Sequence, residues 1–435
     1  MTRWPTTHLI VAGLAAALTA TACLPGTVNL PLPSIDVDRI TNQNGLIAYR
    51  GDDGNIYIAN PLDTSLDARP IQVTADAKAP AQTGEDPYKM YGLPSWSPDG
   101  HYLAFSAISG TGQTFPTTNQ MLLAARDGSD VHAAYEGDHW PVYYNWAPKS
   151  DQLGVLTQSA AGQTLALRRV SIDGSGGEAI DTGNPLFWAW SPDGGTMLVH
   201  AGNTRLAALQ LGSVVQEHDL GLALGAFQAP AISPDGRQAL VAAASSATSQ
   251  QLVRIDLGTG EPQPLIDIAS QASFTWSPDG ARVAMLDLSL DNKYQFPAGP
   301  LHVIASGSGA LETTVDEDVI AFFWAPNGKR LAYLALVDPK DGSSQPNITL
   351  KLLDVGGWTP REILAVAPTQ SFLTEVVPYF DQFSQSTSPW SPDSSSFVLT
   401  NRESSSTTGV YLINLDGASA PRRIGSGAVA FWSSK

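Results

Sequence analysis

The chain has one cysteine in 435 residues, so it cannot form an internal disulfide in any compartment. Positive charge is scarce as well: 24 Lys and Arg stand against 41 Asp and Glu, a formal net charge of −17. A molecule with that balance is repelled by nucleic acid and by anionic lipid headgroups, and neither is expected as a partner. The seven histidines are scattered singly, with no His-x-x-x-His or Cys/His spacing, so no zinc centre is expected. Gly174-Ser175-Gly176-Gly177 lacks the lysine of a phosphate loop and reads as a hairpin turn. Long helical periodicity is missing, and after residue 22 so is any apolar run of membrane length. Nothing in the pattern asks for a cofactor or a metal, and no catalytic motif stands out.

What the chain has in abundance is one short phrase. Eight times an apolar strand runs into Trp-Ser-Pro-Asp-Gly or a near variant, and a second apolar strand follows all but the last. The phrases begin at Trp96, Trp146, Trp190, Ile232, Trp276, Trp324 and Trp390, and a last fragment begins at Trp432. Their spacing runs from 42 to 66 residues. A repeat of roughly 40–50 residues with a turn in each unit is the signature of a β-propeller. Pro presets φ for the turn, Asp bonds back to its own backbone, and Gly closes the turn in the left-handed region. Two more strands follow in each unit, as in Leu301–Ile304 and Glu312–Val315, and four short strands make a blade. The recurring Trp is expected to pack between neighbouring blades, where a flat aromatic buries a large area. The recurring Asp reads as a turn former, because a catalytic group is needed once and not in most units. Asp52-Asp53-Gly54 and 338–342 are also read as turns, since neither completes a calcium loop.

The two ends of the chain complement each other. Val429–Trp432 is a first strand with nothing after it, whereas Leu46–Tyr49, Asn55–Ile58 and Pro70–Val73 are second to fourth strands with no first. Joined, they complete one blade and remove open sheet edges. The expectation is an all-β, eight-bladed β-propeller over residues 44–435, closed by pairing of the C-terminal strand with the N-terminal strands. Seven blades follow if the Ile232 unit is degenerate.

Residues 1–22 carry Arg3, an apolar run Leu9–Leu18 and small residues before Cys23, the layout of a secretory signal. The Thr21-Ala22-Cys23 junction resembles the lipobox of bacterial lipoproteins. That resemblance implies export, lipidation of Cys23, and attachment to the bacterial membrane through the lipid alone. Residues 23–43, with Pro25, Pro31 and Pro33, then form a spacer that reaches up to about 60 Å when extended. Loss of residues 1–22 removes Arg3 and no acid, and leaves −18.

The Trp-Ser-Pro-Asp-Gly repeats resemble the TolB-type, WD40-like propellers across essentially all of residues 44–435. Two departures stand out. No α/β domain precedes the repeats, and no Gly-x-Ser-x-Gly elbow of a propeller-bearing peptidase occurs. The resemblance therefore implies a free-standing, non-enzymatic propeller that binds an envelope or extracellular protein or serves as a scaffold.

The longest connections are expected on one face: 76–91, 108–119, 288–299, 337–348 and 368–388. Long loops on a rigid frame are where binding residues gather. These loops hold Tyr88, Tyr91, Phe115, Tyr294, Phe296, Tyr379, Phe380 and Phe383, and a short link between blades adds His139 and Trp140. Such a set, interspersed with the acids Glu85, Asp86, Asp138, Asp291 and Asp381, suits a contact surface for protein or carbohydrate; equally, it could fold back and plug the mouth of the channel. Phe372, among Leu373, Val376 and Val377, favours the plug. A second class of function is a glycan- or peptide-binding protein, a hydrolase or a lyase that uses single residues pointing into the central channel, which no motif search detects.

Overall fold

The computed structural model describes residues 45–435 except 66–67, 82, 159–161, 163, 340–345 and 418. The signal segment, Cys23 and the spacer lie outside the described residues, as does most of 338–342. Among the described residues no helix is long and apolar enough to cross a membrane.

The turn phrase shows why its residues recur. In five units the Ser hydroxyl donates to the Asp carboxylate at 2.6 Å: Ser97–Asp99, Ser191–Asp193, Ser233–Asp235, Ser277–Asp279 and Ser391–Asp393. The same hydroxyl accepts the amide five residues on, as from Tyr102, Thr196, Gln238, Arg282 and Ser396. Glycine closes the turn at positive φ, 73° at Gly100 and 69° at Gly280. Two units write Ser there instead, and Ser150 and Ser394 hold φ of 62° and 63°. Both hydroxyls accept an amide of a neighbouring turn, Asp99 N at 3.0 Å and Asn327 N at 3.1 Å. A bond between units thus offsets the strain that glycine would avoid.

The strands pair antiparallel in chain order. Trp140–Trp146, Gln152–Gln158, Leu165–Ser171 and Gly176–Gly183 make one four-stranded sheet, and Leu186–Trp190 begins the next. The Ile232 unit is complete, with Ala231–Ile232, Gln238–Ala244, Gln250–Asp256 and Pro262–Ile268. One strand departs from the expected layout. Leu311–Trp324 runs unbroken for 14 residues, pairing with Gly299–Ala305 through its first part and with Arg330–Val337 through its last. It joins two repeats into a seven-stranded sheet. At the ends of the chain, Gly427–Trp432 pairs with Ile47–Gly51 in the register Ile47↔Trp432 and Ala48↔Phe431. Ile56–Ala59 and Ile71–Gln72 complete that sheet.

Four of the repeated Trp side chains tie neighbouring units together through their indole N–H. Trp146 Nε1 donates to Ser95 O, Trp276 Nε1 to Ala231 O and Trp390 Nε1 to Phe323 O, at 2.9–3.0 Å. Each acceptor is the residue just before the Trp or Ile of the preceding unit. Trp190 reaches the equivalent residue through its side chain, Asn145 Oδ1, at 2.9 Å.

Two of the long connections carry structure that their composition does not announce. Within 76–91, Pro87–Tyr91 forms a strand against Tyr102–Thr111, with Tyr88↔Gly110 and Tyr91↔Ala107. It covers an edge that the long hairpin Tyr102–Ala125 would leave bare. Within 368–388 lies the chain's described helical structure: a π-turn Phe372–Val376, a 3₁₀ turn Val377–Tyr379 and a short α-turn Phe380–Phe383. The irregularity has a cause in Pro378, which lacks the N–H that a regular helix needs and clashes with the preceding turn.

Candidate functional site

The helical segment 370–387 is seated at the inner ends of the sheets, and the sequence explains its hold. Phe380 is 1% exposed and wedges edge-on against Phe322 and Phe323, with ring centroids at 5.0 and 5.9 Å. Phe383 meets Tyr143 at 5.4 Å and Phe431 at 6.4 Å. Phe372 and Val376 are buried in the same cluster. Polar bonds fix its register. Tyr143 OH donates to Gln382 O at 2.9 Å, Gln385 Nε2 to Pro230 O at 3.2 Å, and Gln228 Nε2 to the Asp381 carboxylate at 2.5 Å. The strand residue Arg50 donates to Glu375 Oε1 at 2.7 Å, an ion pair whose side chains are only 16% and 14% exposed.

Asp381 is the unusual group. Its side chain is buried, and that burial pushes its carboxyl up to about 6, against the opposing pull of the Gln228 hydrogen bond. Gln228 is held in turn by His200, whose Nδ1 lies 2.8 Å from Gln228 O. His200 is fully buried against Phe227, and burial lowers its affinity for a proton.

The segment divides the space between the inner strands into two cavities. The first, about 150 Å³, opens on the long-loop side. Tyr91, Trp140, Tyr143, Phe187, Tyr379 and Phe383 form much of its wall, together with the Arg50–Glu375 pair. The second, about 540 Å³, lies at the opposite end of the same strands, among the motif turns. The strand Trp140–Trp146 contributes to both: Trp140 and Tyr143 to the first, Asn145 and Trp146 to the second.

The aromatic residues singled out from sequence therefore separate into groups. Tyr91, Trp140, Tyr379 and Phe383 come together around the first cavity, and Phe115, 44% exposed, packs edge-on against Trp140 at 6.1 Å. His139 is half-buried next to Trp140. Tyr88 is buried beneath the hairpin, where its hydroxyl donates to Thr114 O at 3.1 Å. Phe380 is the wedge under the helical segment and offers no contact surface. Tyr294 and Phe296 sit apart, in the 288–299 loop, where Tyr294 OH donates to Asp338 at 2.5 Å and Asn292 clamps Phe296 O at 2.6 Å. Sequence reasoning missed Arg50, Glu375 and Gln228, and it read Asp381 as an acid of the contact surface, whereas the structure buries it at 3% exposure. The available signals were an arginine one residue before the end of the apolar strand Ile47–Gly51 and an aspartate between two phenylalanines.

Among the described residues no group of three or more His, Cys, Asp or Glu is placed to hold a metal ion. The ionic groups at the first cavity are spent on each other, so the arrangement favours apolar contact with a fixed polar point on its wall.

No protein-family model matches the sequence, and no curated protein matches it. Solved structures do match. The chain is similar to the dihydro-heme d1 dehydrogenase NirN in complex with DHE, at 13% identity and a TM-score of 0.57, over 93% of this chain and 76% of that one. It is similar to a eukaryotic initiation factor at 11% identity and a TM-score of 0.52, over 91% of this chain and 99% of that one. It is also similar to TolB from Acinetobacter baumannii, at 15% identity and a TM-score of 0.38, over 80% and 83%. Likeness at such identities speaks for the fold alone, an all-β propeller.

Proposed function

We propose that the chain is a non-enzymatic binding module, an eight-bladed propeller formed as one domain by residues 44–435, which takes a protein partner on its long-loop side. The observation that carries this reading is the open, aromatic-walled cavity beside the helical segment. An apolar side chain of the partner enters it, in the way that buried anchors dominate protein interfaces. Trp140 lines this cavity, and the exposed Phe115 packs edge-on against it. The count of eight and the closure of the ring are supported by the complete Ile232 unit and by the pairing of Gly427–Trp432 with Ile47–Gly51. The module is exported and held at the bacterial membrane by a lipid on Cys23, with residues 23–43 as the tether; the signal-like residues 1–22 and the lone cysteine support this part.

The test is crosslinking with mass spectrometry on intact cells of the native organism, comparing the natural chain with Trp140→Ala and Cys23→Ser. The expected result is one specific protein linked near Trp140 and Phe115, its yield reduced about tenfold or more by Trp140→Ala. Cys23→Ser is expected to release the protein from the membrane fraction. An unchanged crosslink in folded Trp140→Ala would overturn the cavity as the anchor point, and a membrane-bound Cys23→Ser would overturn the lipid tether.

A further inference from the structure

The cavity among the motif turns is a separate space with its own chemistry. At about 540 Å³ it falls within the range of small-molecule sites, and it accommodates roughly two or three sugar rings. None of its lining residues is charged, in a chain of net charge −17. The walls are motif prolines and the indoles of Trp190, Trp276 and Trp324, and the floor is 384–389, which carries Ser384, Gln385, Thr387 and Ser388. The space is therefore blind at its inner end, where the helical segment and this floor close it.

Two lining groups lack the partner their chemistry requires. Asn145 is 1% exposed; its Oδ1 accepts the Trp190 indole, but its Nδ2 has no acceptor. The Trp324 Nε1 is buried and unpaired as well, as are those of the repeat residues Trp96 and Trp432 away from this cavity, whereas Trp146, Trp276 and Trp390 each find a carbonyl in the preceding unit. A buried donor without an acceptor is destabilising, so both sites favour a ligand that brings acceptor oxygens. The rim adds a selection rule. Hydrogen bonds from Ser191 and from Gly195 N hold Asp193 below the usual carboxylate range, and bonds from Ser233 and Arg237 N do so for Asp235. At Asp99, Asp279 and Asp393 partial burial pulls the other way, and the same kind of Ser and backbone bonds prevail. These carboxylates stay ionised around the mouth, and an anionic ligand meets them on entry.

We propose that this vestibule binds a short neutral oligosaccharide, with sugar C–H faces against the indole and proline walls and sugar oxygens accepting from Asn145 and Trp324. The ligand class follows from three features together: flat apolar walls, hydroxyl and amide side chains on the floor, and donors that want acceptors. A short ring-shaped ligand suits the blind floor better than an extended peptide, which would need an exit. The site is independent of the partner cavity, since the helical segment separates the two.

The test is titration calorimetry and indole fluorescence with maltotriose, cellotriose and chitotriose, with trigalacturonate as the acidic counterpart and a neutral proline-rich peptide as the competing class. Gln385→Trp, at an exposed floor position, fills the space and gives up one bond, to Pro230 O, so its fold is checked by circular dichroism; Trp324→Phe removes one unpaired donor and keeps the packing. The expected result is that at least one neutral trisaccharide binds in the millimolar range or tighter and changes the fluorescence, with trigalacturonate at least tenfold weaker. Gln385→Trp is expected to lose binding by tenfold or more and Trp324→Phe by several-fold, while Trp140→Ala leaves it unchanged. Binding of the peptide without any trisaccharide, equal binding to Gln385→Trp, or no binding by any of the sugars at millimolar concentration would each overturn the proposal. The Trp140→Ala control separates failure here from failure of the partner site.

Discussion

The two cavities lie at opposite ends of the same inner strands, yet they differ in almost every chemical respect. The one on the long-loop side is small, walled by eight aromatic side chains and marked by a buried ion pair. The one inside the motif turns is more than three times larger and has no charged residue on its wall. The difference follows from where each end gets its residues. At the motif end successive units contribute closely similar turns, so proline, serine and indole recur along the wall and the surface is uniform. At the other end the contributors are insertions that occur once: the strand Pro87–Tyr91, the link at Trp140 and the helical segment. Repetition gives a smooth vessel, and departure from it gives a distinctive site.

The largest expected effect comes from removing the wedge that keeps the two spaces apart. Phe380→Ala deletes a ring buried between Phe322 and Phe323 and should cost about 3–5 kcal/mol, read as a lowered urea midpoint. A loss below about 1 kcal/mol would mean that the segment is not held by this contact, and the division into two cavities would fall with it.

The next effect depends on pH. Burial pushes the Asp381 carboxyl up to about 6, against an ordinary value of 3.8 in the unfolded chain. The folded state therefore holds the proton more tightly, so this contribution is full below pH 3.8 and is lost as pH rises towards 6. The change amounts to about 3 kcal/mol over that window at ~1.4 kcal/mol per unit. Asp381→Asn should abolish the slope, and the stability of the natural chain relative to the variant should fall across pH 4–6. Parallel curves for the two proteins would contradict the buried carboxyl. No comparable buried acid lines the motif end, where the aspartates are shifted downward and paired with serine.

The smallest expected effect probes the uniform end. Ser394→Ala keeps the strained φ of 63° and removes the bond to Asn327 N, at a cost of about 1–2 kcal/mol. Ser394→Gly removes strain and bond together and should lie within about 0.5 kcal/mol of the natural chain. Urea midpoints that place Gly below Ala would show that the hydroxyl, and not the backbone strain, governs the turn.

Much of the architecture was legible because its signals are local. Strand alternation, the Pro-Asp-Gly turn and the 42–66-residue spacing each lie within a few residues or repeat along the chain. The unpaired strands at the two ends also announced their partnership, since a first strand without followers and followers without a first strand have one economical solution. The aromatic loops were legible as loops but not in their destination. Tyr91, Trp140, Tyr379 and Phe383 converge around a single cavity, whereas Tyr88 and Phe380 disappear into the interior. Composition cannot tell those fates apart, because an aromatic residue suits a buried wedge and a contact surface equally well.

The sequence by itself determined the repeating unit, the turn chemistry within it and the role of the recurring Trp and Asp, since each rests on bonds between near neighbours or on a fixed period. Only the tertiary structure decided what happens at the axis. Arg50 meets Glu375 across 325 positions of sequence, and Gln228 meets Asp381 across 153. Such pairs carry no local pattern. They exist because folding brings distant inner strands around one irregular segment, whose shape Pro378 disrupts and whose buried charges must find partners where the packing leaves them.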